Sequence, residues 1–430
     1  MKKMTTKFSA ITLSLLITCL MTACFMGPTP LTPEQQSAKI DVSIANGGYS
    51  AVLNYDVESI TETWQHDDQG IQITMMTPVV PGNYPLIIYL PGLGESSETG
   101  KLWREAWAKA GYSVFSVQPK SLGDALKGTP KVAPPKSSSW FSKDYDNSAA
   151  QKDIRNSDLR YLGHQYFSQE QLSKRINQVL WAYAQLKQRN QSRLGLFARA
   201  DLSRVVIAGY DIGAQTTAAM IGETYDITLP STTDFKPLAA ILLSPAVDMA
   251  LGDITTRYQN ISLPLLAVTG AEDDDPSAIS TPFARTAIWE YSPPGDKCLL
   301  VLKKGSHQLL SGNNFSQSQS QNQDPNSNQD SSEDTESNKQ SHFTNQYGGG
   351  GSNGRSRSGS HGDNTGNGMM SRDKDRSKVN GNQDYVQVAA VYSVSSAFLD
   401  HICKKDNVAR SWLSNKANVW LNKSATLKLK

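Results

Sequence analysis

Four short runs are apolar at nearly every position: Leu86-Ile87-Ile88-Tyr89-Leu90, Val205-Val206-Ile207-Ala208, Ala240-Ile241-Leu242-Leu243 and Leu265-Leu266-Ala267-Val268. A strand with one face in water alternates apolar and polar residues, so a run without alternation has two faces to bury. That demand is met inside a parallel sheet covered by helices on each side. These runs belong to longer β-rich segments at 85–90, 204–209, 238–243 and 263–269, with companions at 60–64, 71–77, 112–117 and 297–302. Helical spacing occupies 101–110, 169–188 and 215–222 between them. The alternation predicts an α/β fold: a mostly parallel eight-stranded sheet with helices on both faces.

The hydrophobic share of the 430 residues is 38%, low for a globular chain, and the reason is local. Residues 311–383 hold Gln317-Ser318-Gln319-Ser320-Gln321, then Gly348-Gly349-Gly350-Gly351, then Arg355-Ser356-Arg357-Ser358. Such a composition cannot offset its ordering entropy by burial, so a disordered low-complexity insertion is expected there. From 384 an amphipathic helix resumes over 386–403, with Val388, Val391, Val394, Ala397, Phe398 and Ile402 apolar, and a shorter helical piece follows near 408–413. This tail is too short to fold alone. The expected unit is therefore one split domain, 49–310 plus 384–430. A net charge of +2 gives no nucleic-acid footprint.

The first residues read as a targeting segment. Lys2, Lys3 and Lys7 precede an apolar stretch that opens at Ala10, too short for an ordinary membrane span, and ends in Leu20-Met21-Thr22-Ala23-Cys24. This ending resembles a bacterial lipobox, which implies a signal peptide over 1–24 and lipidation of Cys24. The alternative is an ordinary secretory signal that happens to hold a Cys. Several acyl chains on Cys24 would anchor the chain stably to a membrane. Phe25 follows, not Asp, which by analogy with enteric sorting points to the outer membrane, facing the periplasm or the cell surface. Residues 25–48, with Pro28, Pro30 and Pro33, are expected to be a tether. Cys298 and Cys403 remain in the mature chain, where an oxidising compartment permits a disulfide between them; the alternative is two separate thiols.

The strongest local signal is the passage from Val205-Val206-Ile207-Ala208 into Gly209-Tyr210-Asp211-Ile212-Gly213 and a helix rich in small residues. It has the shape of a nucleophile elbow, in which two glycines permit a sharp turn and the central residue is pushed out at a helix N-terminus. Taken alone, Asp211 also fits a simple N-cap. Three further features bear on it. Pro91-Gly92-Leu93-Gly94-Glu95-Ser96 follows the third strand, where an oxyanion-binding turn is expected, with the Leu93 and Ile212 backbone N–H groups as donors. Gly270-Ala271-Glu272-Asp273 follows a late strand and suits a carboxylate that orients a His; Asp274 and Asp275 are rivals, and a solvated acidic loop or a hard-cation site is the alternative. His307 follows the last run, one of only six His in the chain, with an ordinary exposed loop His as its alternative. The order nucleophile, acid, His is that of α/β-hydrolases.

Together these segments resemble the α/β-hydrolase family, in its dienelactone-hydrolase-like branch, near the bacterial relatives of platelet-activating-factor acetylhydrolases. Further parts of the resemblance are Trp107-Ala108-Lys109-Ala110-Gly111-Tyr112-Ser113-Val114, Arg175-Ile176-Asn177-Gln178-Val179-Leu180 and Ala397-Phe398-Leu399-Asp400. The resemblance implies hydrolysis of a small ester-like substrate without metal or cofactor, with Asp273 as acid and His307 as base. Family elbows read Gly-His-Ser-x-Gly, and this one reads Gly-Tyr-Asp-Ile-Gly. A carboxylate attacks an ester carbonyl poorly but displaces well at sp³ carbon, as in the haloalkane dehalogenases and epoxide hydrolases of the same fold. Two readings follow: a hydrolase with an Asp211–His307–Asp273 set, or a non-catalytic α/β-hydrolase scaffold used for binding or structure. Residues 120–170, with Trp140, Phe141, Tyr145 and Tyr161, lie where lids often sit; aromatic packing of a surface excursion is the alternative.

Overall fold

A computed structural model describes residues 31–127, 145–313 and 376–430. The expected signal peptide with Cys24, most of the expected insertion, and Trp140 and Phe141 lie outside the described residues.

All eight expected strands form: β1 (Val57–His66), β2 (Gln69–Pro78), β3 (Tyr84–Leu90), β4 (Ser113–Pro119), β5 (Ala200–Tyr210), β6 (Ala239–Leu243), β7 (Leu265–Glu272) and β8 (Lys297–Ser306). A ninth, β9 (Ala425–Leu429), corrects the expected count. The sheet order is β1-β2-β4-β3-β5-β6-β7-β8-β9. Every pairing from β4 through β3, β5, β6 and β7 to β8 is parallel; β1–β2, β2–β4 and β8–β9 are antiparallel. β9 alternates, with Ala425 and Leu427 buried and Thr426 and Lys428 exposed, as a half-covered edge strand should. Five residues of alternation at a chain end are too weak a periodicity to read from sequence.

The longer helices are α1 (Pro33–Ala45), α2 (Lys101–Lys109), α3 (Tyr145–Tyr166), α4 (Gln169–Gln191), α5 (Ile212–Met220) and α6 (Arg376–Lys404). The apolar strands divide between two cores by side-chain parity. Ile87, Tyr89, Val206, Ala208, Ile241, Leu243, Leu266 and Val268 meet α1, α2 and α6 on one face. Leu86, Ile88, Val205, Ile207, Ala240, Leu242, Leu265 and Ala267 meet α4 and α5 on the other. Period-2 alternation of side chains along a strand explains why these runs have no polar gap: each residue belongs to one core or the other.

Three sequence expectations are corrected. The tether expected over 25–48 is helix from Pro33. Thr32 forms a capping box with Gln35, Pro33 opens the helix where its missing N–H goes unneeded, and Ile40 and Ile44 are buried beside α6. The domain does not pause at 310 and resume at 384: Ser311, Gly312 and Asn313 are part of it, and α6 begins at Arg376. Leu102 N–H donates to the Gly312 carbonyl, and Gly312 lies against Trp103 so closely that a Cβ there would stand 2.2 Å from the indole nitrogen. Finally, Cys298 and Cys403 are free thiols. Cys298 on β8 and Cys403 on α6 are both buried in the same core, and burial pushes each thiol up to about 12. They pack as small apolar side chains. The Tyr385–Lys404 part of α6 is long and apolar enough to cross a membrane, but it is mostly buried inside the domain, as a core helix is.

Candidate functional site

β5 runs without a spacer into α5, and the junction is Asp211, at φ 55° and ψ −117°. A non-glycine residue with this backbone is strained, and such strain persists only where the surroundings fix it. Here two glycines do so. A Cβ on Gly209 would lie 2.3 Å from the Gly213 carbonyl oxygen, and one on Gly213 would lie 2.0 Å from that of Leu90. Strand, turn and helix therefore meet backbone to backbone, and the Asp211 side chain is turned out above the sheet. Ile212 is the first residue of α5, so its N–H has no carbonyl one turn earlier to donate to.

The loop after β3 closes over this point. Leu93 N–H donates to Asp211 Oδ2 at 3.2 Å. On the other side, β8 delivers His307 into a short helical turn, His307–Leu310, capped by Ser306. His307 Nε2 stands 3.7 Å from Asp211 Oδ1, and His307 Nδ1 lies 2.9 Å from Asp273 Oδ1. Tyr210 O–H donates to the His307 carbonyl at 2.9 Å. Asp211, His307, Asp273, Leu93 and Ile212 thus lie together at one end of the sheet. The rivals of Asp273 separate cleanly. Asp275 accepts the N–H groups of Ser277, Ile279 and Ser280, and Asp274 is exposed.

Burial raises the Asp211 carboxyl above its ordinary value, against the pull of His307. Burial also works to raise Asp273, but the hydrogen bond with His307 and the Arg285 charge outweigh it and hold this carboxyl low. Burial disfavours the His307 cation, yet Asp273 and Asp211 leave the ring more basic than usual. The two carboxylates therefore differ: one is kept ionised beside Nδ1, and the other is poised beside Nε2.

Several participants had no signal in the sequence. Ser244 directly follows β6 at φ 50°, and its hydroxyl donates to Asp273 Oδ1 at 2.7 Å, 2.9 Å from His307 Nδ1. Thr269 Oγ1 donates to Asp273 Oδ2 at 2.9 Å. Arg285 is wholly buried behind Asp273. Glu95 was legible as part of the loop but not as a site group: its carboxylate accepts Gly92 N–H at 2.9 Å and the Asn313 amide at 3.1 Å, and burial pushes it up to about 7. Arg175 ties α4 to α5 through Thr216 Oγ1 at 2.9 Å and Gln215 Oε1 at 2.6 Å, which braces the elbow helix from behind.

Leu93 and Ile212 also belong to an apolar cluster with Leu122, Phe167 and Ala246, flanked by Leu126 and Tyr166. Leu122, Leu126, Tyr166 and Phe167 come from the 120–170 stretch, for which the sequence leaves both a lid and a packed surface excursion open. Tyr161, from the same stretch, is 71% exposed and joins no part of the site. Among the described residues no group of three or more His, Cys, Asp or Glu is disposed to hold a metal ion. No protein-family model and no curated protein matches the chain.

Proposed function

We propose that this chain is an α/β-hydrolase, related to the dienelactone-hydrolase-like branch and anchored in the bacterial envelope through Cys24, that hydrolyses a bond at sp³ carbon through an alkyl ester on Asp211. One observation carries the reading: the two oxygens of Asp211 have different surroundings. Oδ2 accepts the Leu93 N–H, and Oδ1 faces His307 Nε2. A serine elbow leaves its oxyanion donors for the substrate carbonyl. Here a donor already holds one oxygen of the residue itself, which suits a carboxylate that will become the acyl group of an ester.

The chemistry follows from that placement. Oδ1 attacks the substrate carbon, and the leaving group departs with the bonding pair, giving an ester between Asp211 and the alkyl group. His307, held by Asp273, takes a proton from water, and the oxygen of that water attacks Cγ of Asp211. Negative charge builds on Oδ2, where Leu93 N–H and the start of α5 oppose it. Collapse expels the alkoxide, which takes the proton from His307 and leaves as an alcohol. Asp211 then returns its remaining proton to solvent. The apolar cluster around Leu93 and Ile212 supports an apolar alkyl group as substrate.

The test is mass spectrometry of Asp211 after exposure to a panel of epoxides, haloalkanes and aryl esters. His307→Gln is expected to accumulate an alkyl adduct on Asp211 while losing turnover by at least about a hundredfold. Asp211→Asn is expected to show neither adduct nor turnover. Absence of turnover across the panel in the parent, with esterase activity appearing in Asp211→Ser, would favour the binding-scaffold reading instead.

A further inference from the structure

His307 sits between two carboxylates, and that arrangement has a chemical drawback. An imidazole with an anion near each nitrogen is held as imidazolium, and an imidazolium takes no proton from water. Five titratable or charged groups from four elements face the ring. Asp211 comes from the elbow and Asp273 from the end of β7. Glu95, in the loop after β3, acts on both His307 and Asp211 electrostatically. The Tyr210 ring lies 5.1 Å from the His307 ring. The fifth contribution is a cation: Arg285 Nη2 lies 3.5 Å from His307 Nδ1, and Arg285 Nε lies 3.4 Å from Asp273 Oδ2.

We propose that Arg285, assisted by Ser244, is a positioning residue that keeps His307 usable as a base by opposing the charge of the carboxylates on either side of it. This rests on the reading of His307 as the base. Arg285 is 0% exposed. Nη1 donates to the Ser244 and Pro245 carbonyls at 3.0 Å each, and Nε donates to the Asp273 carbonyl at 3.2 Å. These three carbonyls fix the guanidinium, so its charge stays at the Asp273 corner of the ring whatever the protonation of His307. A charge this close and this deeply buried is less screened than one at the surface and acts more strongly on the ring.

Ser244 completes the device. Its backbone occupies the left-handed region, at φ 50°, and it is fully buried. That conformation aims its hydroxyl at the carboxylate oxygen that also bonds His307. Asp273 therefore divides its negative charge among Ser244, Thr269, Arg285 and His307 rather than directing it all at the ring. Consistent with this, the Arg285 charge lowers the basicity of His307 while both aspartates raise it.

The measurement is a pH titration of His307 by NMR in the full-length chain, labelled with ¹³C at histidine Cε1 and assigned by loss of one signal in His307→Gln. Arg285→Gln is expected to raise the titration midpoint by about one pH unit or more, a tenfold gain in proton affinity. Arg285→Lys keeps the charge and is expected to leave the midpoint close to that of the parent. An unchanged or lower midpoint in a folded Arg285→Gln protein would overturn the proposal. So would equal shifts in the Gln and Lys variants, which mark a packing role. Should Arg285→Gln not fold, Ser244→Ala decides: its midpoint is expected to rise by a smaller amount, and no rise sinks the idea. Turnover is a separate readout. A parent that titrates as stated yet turns over nothing refutes the hydrolase reading and leaves the charge device standing.

Discussion

At the scale of single residues, the site is made by strain and close backbone contact more than by side-chain variety. Asp211 and Ser244 both hold positive φ, and both are buried at the tips of neighbouring strands. Gly213 is irreplaceable at its position, since any Cβ would overlap the Leu90 carbonyl. Glu95 shows how titration reports on such a place. Its carboxyl is pushed from the ordinary 4.5 up to about 7, first by burial and then by Asp211. A raised carboxyl favours the folded state when protonated, so its contribution is complete below pH 4.5 and is lost as pH rises through 7. The loss is at most about 3 kcal/mol. Glu95→Gln removes this dependence. Chemical denaturation should therefore find the variant as stable as the parent near pH 4.5 and more stable above pH 7. A parallel decline of both proteins between these values would refute the assignment. Asp211, His307 and Asp273 were legible because each follows a strand in a recognisable order. Ser244 and Arg285 were not, because a Ser in a Leu-Ser-Pro sequence and an Arg in a single short helical turn carry no periodicity and no motif.

Elements are where the sequence spoke most clearly and also where it misled. Strands buried on both faces announce themselves by unbroken apolar runs, and β3, β5, β6 and β7 were readable for that reason. α1 was hidden by its prolines. Pro28, Pro30 and Pro33 together suggest an extended tether, yet a Pro at the first helical position favours a helix, and Thr32 with Gln35 supplies the capping box. Its apolar face is narrow: Ile40 and Ile44 carry the contact with the core. Ile44→Ala should therefore cost about 2–4 kcal/mol of unfolding free energy, as buried aliphatic truncations do. Thr32→Ala should cost about 1 kcal/mol through the lost cap. Urea denaturation distinguishes this from a tether, for which both substitutions would leave the midpoint unchanged.

Across the whole molecule, the long polar segment leaves and rejoins the fold at two fixed points. Asn313, on the departing side, donates to Glu95 and accepts from Gly100 N–H, so the segment departs from the back of the loop that supplies Leu93. On the returning side, α6 packs from Tyr385 onward in the core between α1 and the sheet. Both anchors are made by residues of the domain. Replacing 316–374 by a flexible Gly/Ser linker of about twenty residues should therefore preserve the fold. If the segment is the disordered insertion its composition predicts, closing a loop roughly threefold shorter costs less chain entropy, and the shortened protein gains about 1 kcal/mol of stability. The same variant tests whether the segment serves the site. Because Asn313 is retained, the Glu95 carboxyl keeps its partner, and adduct formation at Asp211 should proceed at the parent rate. A shortened protein that folds with normal stability but no longer forms the adduct would assign the segment a direct part in substrate handling, which the geometry from Asn313 to Asp211 does not call for.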